Sequence, residues 1–190
     1  SDPSLIAALS AGDMAGHAAA TARAFKLLPQ AQSIQFYSPA LIEVVKADYN
    51  VFGYSKAAQL MSVQSADATP RLETISRKKQ RMLSLAQPVH SPAGQVLAYA
   101  WVELPFKPMQ LRFDPFDPGG GRLELRQGDG DDALLLLANG SQHAQDVDSN
   151  GGLPVPGSTF RVAAALPRAF VVLPHSWLLA ALLTLLALLA

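Results

Sequence analysis

The residues of this 190-residue chain that could do chemistry are few and scattered. Four histidines, His17, His90, His143 and His175, stand far apart. None has the spacing at which imidazoles share a metal. "DVDSNGG", Asp146 to Gly152, matches the first six positions of a calcium loop through Asp146, Asp148, Asn150 and Gly151. Position twelve of such a loop must bring a bidentate glutamate, and here it is Gly157. "GDGDD" (128–132) reads as a turn, as does "GGG" (119–121), which lacks the Lys-Ser/Thr of a phosphate loop. No serine sits in a G-x-S-x-G elbow. The chain has no cysteine, which removes thiol catalysis, disulfides and cysteine zinc sites. With no catalytic constellation, these residues are not read as an enzyme, and no cofactor is expected among them. Four residues stand out as ligand contacts: Tyr54, Arg81, Tyr99 and Trp101. Aromatic walls with a few convergent polar groups are what a small-molecule pocket needs. Their ordinary roles would be core packing for the aromatics and a surface charge for Arg81.

The elements that must position those four are legible in outline. "PSLIAALSAGDMAGHAAATARAFKLLP" predicts two helical pieces, interrupted at Ser10-Ala11-Gly12, the second capped by Asp13 and ending before Pro29. "SIQFYSP" has strand composition with a proline stop. "ALIEVVKADYN" places Leu41, Val44, Val45 and Asp48 at helical spacing, and a second short helix starts at Tyr54 after Gly53. From Pro70 the period changes to two. "RLETIS" and "QRMLSLAQPV" read as strands, "SPAG" as the turn, and "GQVLAYAWVELPF" as the strongest strand. Alternation puts Val96, Ala98, Ala100 and Val102 on one face of it and Leu97, Tyr99 and Trp101 on the other. Both faces are apolar, so the strand is expected to be central and covered on both sides. "KPMQLRFDPFDPGGG" is a connection with room for one helical turn. "RLELRQ", "DALLLLANG" and "STFRVAAALP" are further strands, the last preceded by a long polar loop. Helices followed by an antiparallel meander predict an α+β fold.

Composition narrows the partners. With 15 basic and 15 acidic residues the formal net charge is zero, so there is no basic surplus for nucleic acid. The basic cluster "RKKQR" (77–81) reads as a solvated strand end. "WLLAALLTLLALLA", Trp177 to Ala190, carries no charge and is apolar on every face but for Thr184. A spanning helix needs about 20 such residues. Pro174 precedes the run, and His175 and Trp177 stand where an interfacial belt would lie. The run is expected to be the start of a transmembrane helix, truncated at Ala190, and the competing reading is a terminal core helix. The chain starts at Ser1 without an initiator methionine and reads as a piece of a longer protein. The expected organisation is one domain over residues 1–167, then a juxtamembrane segment and the start of the membrane helix over 168–190.

The small-residue "AALSAGD", the step "LLPQAQSIQFYSP" and the hairpin "PVHSPAGQVLAYAWVEL" together resemble an extracytoplasmic Cache/PAS-like sensor domain over roughly Pro3 to Phe106. With "RLELRQGDGDDALLLLANG", "LPVPGSTFRVA" and the apolar end, the chain is similar to the N-terminal extension of long bacterial phosphomannomutase/phosphoglucomutase proteins. That resemblance implies an antiparallel sheet with flanking helices, facing the periplasm from the bacterial inner membrane. It implies a first membrane helix before Ser1 and, beyond Ala190, a cytoplasmic sugar-phosphate mutase serving polysaccharide biosynthesis. The mutase's phosphoserine loop and metal-binding aspartates have no counterpart here, so no catalytic residue carries over. The implied function is sensory, regulatory or anchoring. Its partners would be the membrane, a small-molecule ligand, and a second copy or an envelope protein packed on "AGHAAATARA". Two alternatives stay open: the sensor domain of a chemoreceptor or histidine kinase, and a ligand-free interaction module.

Overall fold

The computed structural model describes residues 2–65, 69–77, 80–130, 132–141 and 152–165. The fold is α+β with two four-stranded antiparallel sheets. The chain splits into two compact units, residues 1–109 with 155–160, and residues 110–154 with 161–190. Among the described residues no helix is long and apolar enough to cross a membrane. The expected membrane helix from Trp177, the juxtamembrane segment and the calcium-like run 146–151 lie outside the described residues.

In the first unit the chain opens with α1 (Pro3–Ser10) and α2 (Met14–Leu27). Each starts on an aspartate. Asp2 Oδ1 accepts from the Leu5 N–H at 3.0 Å, and Asp13 Oδ1 from the Gly16 N–H at 2.6 Å, satisfying first-turn donors that the helix itself leaves unpaired. Gly16 lets the two helices close on each other, because a Cβ there would stand 2.3 Å from the Ala8 carbonyl oxygen. Of the small residues expected to pack on another subunit, Gly16, Ala20 and Ala24 form the buried face of α2, while Ala15, Ala18, Ala19 and Ala22 are exposed.

The expected helix through "ALIEVVKADYN" is broken into two single turns, α3 (Ile42–Val45) and α4 (Tyr49–Phe52). Asp48 is the cause. Its carboxylate accepts from the Asn50 N–H at 3.0 Å and starts a new turn where a continuous helix would run on. Helix α5 (Tyr54–Ser62) follows after Gly53, as the sequence predicts.

The first sheet comprises β1 (Ser33–Tyr37), β2 (Glu73–Arg77), β3 (Gln80–His90) and β4 (Val96–Pro105) in the order β1-β4-β3-β2. Strand β4 is central. One of its faces packs Tyr99 and Trp101 with Tyr37, Leu41, Val44, Leu60 and Ala86. Its other face packs Ala98 with Leu9 and Ala20 of the helical hairpin. One detail departs from simple alternation. Val89 pairs with Ala98 and His90 with Val96, so Leu97 is an extra residue in the ladder. The bulge reverses the first two side chains of β4: Leu97 joins Ala98 and Val96 joins Tyr99.

The second unit is described by α6 (Lys107–Phe113), which begins in the first unit, and by β5 (Arg122–Gln127), β6 (Leu134–Gly140), β7 (Leu153–Pro154) and β8 (Phe160–Ala165). Its sheet runs β6-β5-β8-β7. Strand β7 lies where the sequence predicts only loop. The buried Glu124 of β5 is clamped by two arginines of its own strand, Arg122 Nε at 2.5 Å and Arg126 Nε at 2.7 Å.

Candidate functional site

On the Trp101 face of the first sheet lies a cavity of about 710 Å³, walled by α4, α5, β1, β2 and β4. Alternation along the strands explains what it holds. Gln35 of β1 pairs with Trp101 of β4, and Glu103 lies two residues on, on the same face. Arg77 at the end of β2 reaches across to Glu103, with Nη1 2.6 Å from the carboxylate. Lys56 stands three and four residues before Gln59 and Leu60, which puts it on the face of α5 that meets the sheet.

Lys56 is the centre of the arrangement. Its Nζ lies 4.4 Å from the Phe52 ring centroid, 4.6 Å from that of Trp101 and 5.2 Å from that of Tyr37. These are cation–π distances. Lys56 donates to Gln35 Oε1 at 2.6 Å, and the same oxygen accepts from the Tyr37 hydroxyl. Three aromatic rings replace much of the water an ammonium would otherwise hold. That desolvation lowers the Lys56 pKa to about 8; Glu103 pulls it up and Arg77 pushes it further down. The Tyr37 hydroxyl is pushed the other way, by burial first and then by Glu43 and Glu103. Lys56, Arg77 and Glu103 sum to one positive charge, and Arg77 already pairs with the only carboxylate among them.

The four residues singled out from sequence separate. Trp101 forms part of the wall, and its Nε1–H donates to Gln59 Oε1 at 3.1 Å, which fixes the indole. Tyr54 is at the rim, 65% exposed, edge-on to Tyr49. Tyr99 shares the strand face of Trp101 but is buried in the core beside Tyr37. Arg81 falls on the opposite strand parity from Met82 and Ser84, and its guanidinium lies 5.4 Å from the Phe106 ring centroid. Sequence reasoning did not select Lys56, Gln35, Arg77 or Glu103. One signal was present for Glu103: it continues the Tyr99, Trp101 parity of "YAWVE", a carboxylate where an apolar residue would be expected. Among the described residues no three His, Asp or Glu side chains converge as a metal would require.

Comparison of the chain with protein-family models and with curated proteins gives no match.

Proposed function

We propose that this chain is a sensory domain of the Cache/PAS-like kind that binds a small organic anion in the Lys56 cavity. We place it on the periplasmic side of a bacterial inner-membrane protein, with a sugar-phosphate mutase as the cytoplasmic partner to which it is joined. The α+β fold with antiparallel sheets and helices on both faces of the first sheet supports the sensor reading. The uncharged run from Trp177 to Ala190 supports the membrane reading.

The observation that carries the ligand reading is the Lys56 ammonium, held half-buried among three aromatic rings with the Gln35 oxygen as its hydrogen-bond acceptor, its charge left over after Arg77 and Glu103 pair with each other. A carboxylate entering the cavity supplies the countercharge that the rings cannot, and a charge-assisted hydrogen bond to a poorly hydrated ammonium is stronger than one in water. The exposed Arg77 guanidinium offers a second donor at the mouth. Phe52, Ile75 and Trp101 give the apolar body of the ligand its contact. The volume lies within the range of about 300–1,000 Å³ typical of small-molecule sites.

The test is a thermal-unfolding screen of the whole chain with pyruvate, succinate, citrate and benzoate, beside the same screen with uncharged amides of similar size. A ligand that binds only the folded chain raises its melting temperature. The expected result is a rise with at least one carboxylate, absent with the amides and absent in Lys56→Met. Equal effects of acids and amides, or an undiminished rise in Lys56→Met, contradict the reading.

A further inference from the structure

A second cavity lies on the same sheet face, beyond Gln59, with a volume of about 380 Å³. Its chemistry differs from that of the first. Arg71 and Glu73 stand two residues apart on one strand parity, one cation and one anion. Around them are the hydroxyls of Ser62, Thr69 and Thr159 and the carboxamide of Gln59, over the small apolar side chains of Val63 and Ala86. Neither Lys56 nor Arg77 contributes to it.

We propose that this second cavity is a separate binding site for a neutral polyhydroxylated molecule of monosaccharide size. Arg71 and Glu73 cancel in charge, so an anion or a cation gains at one and is repelled by the other. The hydroxyls of Ser62 and Thr159 already donate to the Gln59 and Leu72 carbonyls and so meet a ligand as acceptors, while the Thr69 hydroxyl donates or accepts and the Arg71 guanidinium donates, a mixed set that matches a ligand whose own hydroxyls do both. The small apolar floor suits the C–H face of a sugar ring. Burial pushes Glu73 toward the neutral acid, against the pull of a hydrogen bond from Gln59 and of the Arg71 charge.

The walls are fixed in advance by the backbone. The Leu72 N–H donates to the Gly157 carbonyl at 2.9 Å and the Thr159 N–H to the Leu72 carbonyl at 3.0 Å, so the segment 155–160 is stitched alongside Arg71 and Glu73. Pre-formed walls lower the ordering cost of binding. Gln59 also faces two ways. It lines this cavity while its Oε1 holds the Trp101 indole N–H of the first one and its Nε2 reaches the Ser84 carbonyl at 3.4 Å. A ligand that bonds to Gln59 therefore changes the surroundings of Trp101.

The chain has two tryptophans, Trp101 and Trp177. Trp177→Phe leaves Trp101 as the sole reporter. That variant is titrated with D-glucose, D-mannose and D-galactose, following Trp101 emission and ligand-observed saturation-transfer NMR. The expected result is saturable binding of at least one monosaccharide with a change in Trp101 emission. Arg71→Ala, at an exposed position, should weaken it by about tenfold or more, the loss of one charge-assisted hydrogen bond, while Lys56→Met changes it by less than about twofold. Absence of binding by all three sugars overturns the proposal. So does binding that is lost in Lys56→Met and kept in Arg71→Ala, which would put the sugar in the first cavity. Saturable binding of L-alanine with all three sugars inert overturns the ligand class.

Discussion

Lys56 carries the functional reading, and its behaviour with pH follows from where it sits. Its folded pKa of about 8 lies below the ordinary value of 10.5. Between those two values the unfolded chain binds more protons than the folded one, so stability rises with pH across that window and is insensitive to this group below it. Lys56→Met removes the slope. Urea denaturation of both proteins below, within and above the window measures it, and equal slopes would show that Lys56 is hydrated. Anion binding should run the opposite way, weakening as pH rises past about 8 and the free amine loses its charge. The sequence showed the aromatics of this site but not its charge. Tyr54 and Trp101 stand out by type, whereas a lysine in a nine-residue helix looks like any solvated lysine until the helix is placed on the sheet. Arg77 and Arg81 belong to one basic cluster, and only strand parity sends Arg77 to Glu103 and Arg81 to the other face.

At the scale of elements, two contacts are sharp enough to test. Gly16 is the point where α2 meets α1, and the 2.3 Å approach to the Ala8 carbonyl leaves no room for a methyl group. Gly16→Ala gains helix propensity, yet backbone cannot yield as a flexible side chain does. The expected outcome is a loss of about 1–3 kcal/mol in urea unfolding. A stabilised variant would show that the hairpin opens freely. In the second unit, burial pushes Glu124 up but the Arg122 and Arg126 guanidiniums win and hold it below the usual carboxylate range. A carboxylate with a depressed pKa stabilises the fold above its unfolded value and loses that contribution as pH falls through the folded one. Glu124→Gln should therefore destabilise the chain by about 1–3 kcal/mol at neutral pH, with the difference shrinking in acid. A difference that persists unchanged in acid would assign it to packing. The start of α2 at Asp13 and the strands with period two were legible because they are local. The break at Asp48 and the bulge at Leu97 were not, because each is a contest between a local hydrogen bond and a longer pattern.

On the scale of the molecule, the first cavity exists because β1 pairs with β4, bringing Gln35 beside Trp101 across 66 positions of sequence (101 − 35). Alternation marked every strand but β7, and the centrality of β4, but no periodicity encodes a pairing that distant. Nor did it show that 155–160 returns to the first unit to wall the second cavity. The resulting sheet face holds two cavities of different character on either side of Gln59, one cationic and aromatic, one lined by hydroxyls and a pair of opposite charges. The proposed sensory function stands or falls on whether the cationic cavity takes an anion. The most direct measurement is a calorimetric titration with the carboxylate that gives the largest thermal shift, on wild type, Lys56→Met and Arg77→Ala. The expected result is one site per chain, binding abolished in Lys56→Met, and binding weakened about tenfold in Arg77→Ala. Wild-type affinity in Lys56→Met would contradict it.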